Sequence, residues 1–194
     1  MISLAGSWAA SELYKRQIVG RGEAKAMSET DLISADPVTV VISTKGWARA
    51  AKGHEVDPVA LNYKSGDEYK ASALGKSNQP VIFICSTGRS YTVLAHTLPS
   101  ARGQGEPLTG RLSPPSGATF DGVLMGDESQ RYLMASDAGY GFIMKLGDAI
   151  TKNKNGKELI NLPKGARVLQ HKLITKLDTD YLVAVTNEGR RLLF

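Results

Sequence analysis

Four glycines in one recurring local context constrain this chain more than any other feature. The segments Val40-Val-Ile-Ser-Thr-Lys-Gly46-Trp, Ile82-Phe-Ile-Cys-Ser-Thr-Gly88-Arg, Leu133-Met-Ala-Ser-Asp-Ala-Gly139-Tyr and Val183-Ala-Val-Thr-Asn-Glu-Gly189-Arg each run from apolar residues through small polar ones to a glycine. The apolar stretches suit strands, Ser, Thr, Asn and Asp suit turns, and glycine accepts the positive φ that closes a short hairpin loop. Four β-hairpins are predicted, with their glycines 42, 51 and 50 residues apart. Periods of that size belong to architectures that repeat a small sheet. One such sheet buries too little apolar surface to stand alone, so consecutive units must stack and share a core.

A second signature accompanies the first. Gly66-Asp-Glu-Tyr69, Gly105-Glu-Pro-Leu108 and Gly156-Lys-Glu-Leu159 each place a large apolar residue three positions after a glycine. A later glycine (Gly75, Gly117, Gly165) then precedes a new apolar segment, at Val81 to Cys85, Ala118 to Met125 and Val168 to Leu169. Each unit therefore reads as hairpin, basic connector, strand, turn, strand. The prediction is an all-β, propeller-like repeat of four-stranded blades over residues 36–194, with about three full blades and a partial fourth. Residues 21–35 read as a short helical lead-in on the run Gly22-Glu-Ala-Lys-Ala-Met-Ser-Glu, with Pro37 barring helix beyond Asp36. Residues 1–20 show no period and are assigned to a tag or an upstream remnant.

Charge narrows the partners. Over 194 residues, 24 Lys and Arg stand against 19 Asp and Glu, a formal net charge of +5. Residues 1–35 cancel internally, so the excess belongs to 36–194, and it is steepest from Lys145 to Lys176, where eight basic residues face only Asp148 and Glu158. Such a balance favours anionic partners. Met1 to Ser11 is too short and too polar to cross a bilayer and lacks a basic signal-peptide start, which points to a soluble chain in a reducing compartment.

Catalytic patterns are weak. The single Cys85 excludes an intrachain disulfide, and the three histidines, His54, His96 and His171, are too far apart for a local metal motif. Cys85 ends the apolar run Val81-Ile-Phe-Ile-Cys85 and reads as inert core rather than nucleophile. Nucleophile-elbow, phosphate-loop and zincin spacings are missing. The stretch Arg102-Gly-Gln-Gly105 is glycine-rich enough to cradle a phosphate through backbone amides, and equally suits an ordinary flexible loop.

Basic residues recur at comparable places in the units. Arg49, Arg89 and the pair Arg190-Arg191 follow the hairpin glycines; Lys52, Arg102, Lys152, Lys154 and Lys157 lie in the connectors. Singly, each is an ordinary solvated cation. As a set, Arg49, Lys52, Arg89, Arg102, Lys152, Lys154, Lys157 and Arg190 are expected to form a band along one edge that tracks phosphates without reading bases. Such binding weakens steeply with salt, and nothing in the chain resembles a major-groove recognition helix. The competing expectation is a protein-interaction module that docks an acidic partner, with Trp47, Tyr63, Tyr69 and Tyr140 as exposed anchors.

From about Arg21 to Phe194 the sequence resembles the C-terminal domain of the A subunit of bacterial topoisomerase IV. The most specific stretches are Glu23-Ala-Lys-Ala-Met-Ser, Ala51-Lys-Gly-His54, Lys76-Ser-Asn-Gln-Pro80, Ser86-Thr-Gly-Arg-Ser-Tyr91, Leu98-Pro-Ser-Ala-Arg-Gly-Gln-Gly-Glu-Pro-Leu-Thr-Gly110 and Ala135-Ser-Asp-Ala-Gly-Tyr-Gly-Phe142. The resemblance implies a β-pinwheel whose basic rim binds and bends duplex DNA, as in the related tail of gyrase, in the service of DNA topological change and chromosome segregation. It implies a non-catalytic chain without cofactors of its own, since the parent enzyme uses ATP and magnesium through other regions. The implied partners are sequence-nonspecific double-stranded DNA, the remainder of the topoisomerase IV chain, plus the separate ATPase chain of that enzyme. The implied setting is the cytoplasm, at the nucleoid, without membrane. Family domains usually carry five or six blades, and the basic glycine-rich wrapping box of gyrase has only the degenerate counterpart Ser100-Ala-Arg-Gly-Gln-Gly-Glu106 here.

Overall fold

The computed structural model describes residues 33–176, 179, 181–186 and 189–193. The segment 1–20 and the lead-in expected over 21–35 lie outside these residues except for 33–35, which enter the first strand without helix. Among the described residues thirteen strands follow in chain order: β1 Pro37–Ser43, β2 Trp47–Lys52, β3 Tyr69–Lys76, β4 Pro80–Cys85, β5 Arg89–Leu94, β6 Glu106–Pro107, β7 Phe120–Leu124, β8 Arg131–Ala135, β9 Gly141–Lys145, β10 Lys157–Glu158, β11 Lys172–Ile174, β12 Val183–Val185 and β13 Arg191–Leu193. All four predicted hairpins form: β1–β2, β4–β5, β8–β9 and β12–β13 are antiparallel pairs. Their glycines, Gly46, Gly88, Gly139 and Gly189, have φ of 77–85°, which a Cβ would oppose.

The strands form two four-stranded sheets, β3-β1-β2-β6 and β10-β5-β4-β7, a three-stranded sheet, β11-β8-β9, and the two-stranded β12-β13. The fourth strand of each complete sheet does not come from its own repeat. The two-residue strand β6 leaves the second repeat to pair with β2 of the first, through Trp47↔Pro107 and Ala48↔Glu106. Likewise β10 leaves the third repeat to pair with β5, through Arg89↔Glu158 and Ser90↔Lys157. Glu106 and Lys157 each lie 18 residues after the preceding hairpin glycine, Gly88 and Gly139. Among the described residues β9, the equivalent strand of the third sheet, has no such neighbour.

This exchange corrects the glycine phasing. Gly66 is equivalent to Gly117 and Gly165, not to Gly105 and Gly156. Each of the first three has positive φ, and the residue two positions later gives its carbonyl to the second residue of a hairpin turn: Thr44 N–H to Glu68 O, Ser86 N–H to Thr119 O and Asp137 N–H to Arg167 O. Gly105 and Gly156 instead open the exchanged strands β6 and β10.

The core explains why Val81 to Cys85 is apolar without alternation: both faces of β4 are buried, the pattern of a strand sandwiched between layers. Val81, Phe83 and Cys85 pack with Val38, Val40 and Ile42 of the first sheet and with Tyr91 and Phe120. Ile82 and Ile84, on the other face, pack with Leu124 and with Tyr132, Met134, Met144 and Leu146 of the third repeat. Phe120 meets the rings of Phe83 and Tyr91 edge-on, at centroid distances of 6.3 and 5.6 Å. Cys85 is fully buried with Sγ 2.9 Å from Thr87 Oγ1, the core position expected of it. Among the described residues no helix is long and apolar enough to cross a membrane.

Candidate nucleic-acid interface

Most of the predicted cations lie on or beside two connectors, each fastened to the hairpin strand β2 or β5 of the preceding sheet. The first, residues 99–105, lies along β2. Ala50 N–H donates to Pro99 O (2.9 Å) and Ala50 O accepts from Ala101 N–H (2.9 Å), while Gly103 N–H donates to Ser100 O (3.2 Å). Beyond the loop, β6 continues the ladder at Ala48 and Trp47, and Leu108 N–H donates to Gly46 O (3.0 Å). Arg102 stands exposed at the apex. Lys52 is exposed at the end of β2, two residues past the Ala50 anchor.

The second connector, residues 151–156, repeats the arrangement on β5. Thr151 N–H donates to Thr92 Oγ1 (3.0 Å), and Leu159 and Ile160 N–H donate to Gly88 O (3.0 and 3.2 Å). Asn153 and Thr151 side chains cap the turn by accepting the backbone N–H groups of Asn155 and Asn153. Lys152 and Lys154 are exposed on this loop. Lys157, exposed on β10, donates from Nζ to Asp148 O (2.6 Å). Arg89 reaches over the same loop: Nη1 donates to Asn155 O (3.1 Å) and Nη2 lies 3.7 Å from Glu158 Oε2. Arg89, Lys152, Lys154 and Lys157 are thus gathered around one connector, while Arg102 and Lys52 attend the other. Arg190 is exposed in the β12–β13 hairpin, its N–H donating to Thr186 Oγ1 (3.2 Å).

Arg49 departs from the exposed position expected of it. It is only 2% exposed, with Nη1 donating to Asn62 O (2.8 Å) and Gly103 O (3.0 Å) and the guanidinium 4.5 Å from the centre of the Tyr63 ring. The reason is register. Arg89 and Arg190 come one residue after their hairpin glycines and Arg49 comes three after, so Trp47, not Arg49, is the counterpart of Arg89.

Two further cations lie outside the set expected from sequence. Lys145 closes β9 six residues after Gly139, as Lys52 closes β2 six after Gly46, and it lies opposite Arg131 across the β8–β9 pair. Counting from the hairpin glycine is the signal that finds it. Lys64 is half-buried with Nζ 3.3 Å from the centre of the Trp47 ring, a contact that no spacing announces. Of the aromatic anchors, Trp47 is covered by Lys64 and Tyr63 lies under Arg49 with its hydroxyl donating to Pro58 O. Tyr69 shares a 3.0 Å hydrogen bond with Ser72 Oγ, and Tyr140 alone of the four is largely exposed. Burial pushes the Tyr63 phenol above its ordinary range, with the Arg49 guanidinium opposing.

Other charges fix the frame. Asp67 Oδ1 accepts from Thr44 Oγ1 (2.7 Å) and from the N–H groups of Lys45 and Glu68 (both 3.0 Å). Burial raises its carboxyl, and these bonds together with Ser43 outweigh it, leaving the group below the ordinary range. Lys70 on β3 pairs with Asp121 on β7, and Arg111 pairs with Glu106 on β6. Among the described residues no three metal-ligating side chains cluster.

No protein-family model matches the chain. It is 56% identical over 177 residues, 91% of its length, to the A subunit of DNA topoisomerase 4 from Pseudomonas aeruginosa, and 55% identical over 174 residues to the same protein of Escherichia coli K12. The chain spans about a quarter of these relatives, 24% and 23% of their lengths. Among solved structures it resembles the E. coli ParC C-terminal domain, with 54% identity and a TM-score of 0.78, covering 82% of this chain and 65% of that one. A crystal structure of the C-terminal domain of DNA topoisomerase IV shares the fold at 15% identity, with a TM-score of 0.64, over 83% of this chain and 52% of that one.

Proposed function

We propose that this chain, which belongs with the β-pinwheel C-terminal domains of the ParC-type proteins of DNA topoisomerase IV, binds duplex DNA through phosphates and curves it, without itself cleaving a strand. One observation carries the reading. Consecutive connectors, each followed by a short exchanged strand and an equivalent backbone bond, Leu108 N–H to Gly46 O and Leu159 N–H to Gly88 O, expose Arg102 beside one and Lys152, Lys154 and Lys157 beside the next. Lys52, Arg89 and Arg190 extend the set; Arg49, being buried, acts behind it.

Cations held on repeated loops suit a repeated anion, and the DNA backbone presents one. Each phosphate neutralised releases counterions, giving affinity that is indifferent to sequence and steeply dependent on salt. Contacts on successive units favour a curved duplex. Curving ~20–30 base pairs costs roughly 1–6 kcal/mol, which the added contacts must offset. In a whole topoisomerase IV this surface would present a DNA segment to the remainder of the enzyme, its separate ATPase chain included, where ATP and magnesium act, in the bacterial cytoplasm at the nucleoid.

Fluorescence anisotropy with duplexes of unrelated sequence, at two or more salt concentrations, tests the reading. Affinity equal across sequences and falling with salt is expected; affinity untouched by salt overturns it. End-to-end energy transfer on a labelled duplex checks the curvature.

A further inference from the structure

We infer that Arg49 is a positioning residue: from beneath, it holds the 99–105 connector in the shape that presents Arg102 to a phosphate. This rests on the DNA-binding reading above. A buried guanidinium needs a strong reason to be there, since desolvating a charge is costly unless its donors are met. Arg49 is almost wholly withdrawn from solvent, and its Nη2 has no hydrogen-bond partner among the described residues. What it does hold is backbone. Nη1 bridges Gly103 O, the carbonyl one residue past Arg102, and Asn62 O in the β2–β3 connection, while the face of the guanidinium rests on Tyr63.

The contact falls where the loop lacks another tie. Pro99 and Ala101 are bonded to Ala50, and Glu106 is laddered to Ala48. Between these anchors Arg102 N–H and Gly103 N–H turn back within the loop, to Ser100 Oγ and Ser100 O. Gly103 O on Arg49 is therefore the bond that fixes the apex to the sheet. A glycine-rich turn left without it has many shapes open to it, and ordering them on binding weakens affinity. The Arg102 side chain touches phosphate in this scheme; Arg49 acts only through the loop.

Two measurements on the full chain separate this role from a general structural one. The first is the rate of trypsin cleavage after Arg102, followed by mass spectrometry, for wild type and R49M. Methionine keeps much of the length of the side chain and removes the donors, so cleavage after Arg102 is expected at least ~10-fold faster, with cleavage after Lys154 unchanged. The second is a double-mutant cycle in duplex binding, with R102A, R49M and the pair. R49M is expected to weaken binding about as much as R102A, and the double variant no further than R102A alone. R49K keeps the charge and only one nitrogen to donate from; it carries the same test if R49M does not fold, with smaller effects in the same direction. Losses that multiply in the double variant, or unchanged cleavage after Arg102, overturn the positioning role. If cleavage accelerates while neither R49M nor R102A alters DNA affinity, the inference fails at its DNA step and the DNA-binding reading of this loop falls with it. Weakened binding by R102A with normal cleavage in R49M removes Arg49 alone.

Discussion

Arg49 and Tyr91 occupy the same place in consecutive blades, three residues after the hairpin glycine, and each lies against the glycine that opens the neighbouring exchanged strand. Gly105 packs on Ala48 O and Arg49 Cβ, and Gly156 packs on Ser90 O and the Tyr91 ring. A large polar side chain beneath a connector glycine is therefore a shared device of the two blades, filled by a cation in one and a phenol in the other.

The glycines at these contacts are the first target. A Cβ at Gly105 would come within 2.6 Å of Ala48 O at a φ of +88°. G105A should cost about 2–4 kcal/mol, from the left-handed backbone and the displaced carbonyl together. Gly103, where a Cβ would meet nothing nearer than 3.9 Å, is the control, and G103A should cost far less. Denaturant midpoints at constant slope check both.

Tyr91 titrates unusually. It is fully buried and its hydroxyl has no hydrogen-bond partner among the described residues; burial, with Cys85 adding, pushes the phenol up to about 12. The unfolded chain ionises first, near its ordinary value of about 10. This contribution to stability is complete below about pH 10 and is lost as pH rises from there towards about 12. Y91F should flatten that part of the stability profile relative to wild type. Removing an unsatisfied hydroxyl should also raise stability near pH 7 by about 1 kcal/mol.

His171 has the opposite dependence. Its ring packs edge-on to Tyr132, with centroids 6.4 Å apart, and crowds Gly122. Burial holds the imidazole below its ordinary range; a backbone bond at Val123 opposes this and Lys172 adds to it. The folded state therefore binds fewer protons than the unfolded one, so the contribution is complete above about pH 6.5 and shrinks as pH falls through the window beneath it. Comparing denaturant midpoints at about pH 7.5 and about pH 5.5, on either side of the ordinary histidine value, should show wild type losing more stability than H171N. An imidazole resonance that titrates at or above about 6.5 would remove the basis for this.

The second connector predicts a charge effect without a sequence effect. K152A/K154A should weaken all duplexes alike and reduce the slope of log affinity against log salt by about two. A loss confined to one sequence would assign these lysines to base edges instead.

Much of the fold was legible because hairpin chemistry is local. The turn residues and the glycine at Gly46, Gly88, Gly139 and Gly189 determine one another within a few positions, and all four formed pairs. What stayed hidden was pairing across repeats. Glu106–Pro107 and Lys157–Glu158 are two residues each, too short to show a period, and their partners Ala48 and Ser90 lie 58 and 67 residues away. By spacing alone Gly66 aligns with Gly105 and Gly156, whereas its counterparts in the fold are Gly117 and Gly165. For the site, charge and position located the two connectors, but residue type alone did not separate Arg102, exposed at an apex, from Arg49, drawn inward by two carbonyls and a ring. Arg49 stands two residues beyond Trp47, the counterpart of Arg89, and so on the same face of β2; its burial is decided by how far along the strand it lies, beneath the 99–105 connector.

Because β6 and β10 complete sheets to which their own hairpins do not belong, the stretch of chain that repeats and the body that folds are out of step by one strand. A nick between Leu94 and Glu106 would leave every hairpin intact and cut the covalent link between β5 and the strand β6 that completes the first sheet. A polyanion tugging on Arg102 or Lys154 pulls on a loop clamped at both ends to one strand of the preceding sheet, β2 or β5, so the load falls on a laddered strand and not on a free turn.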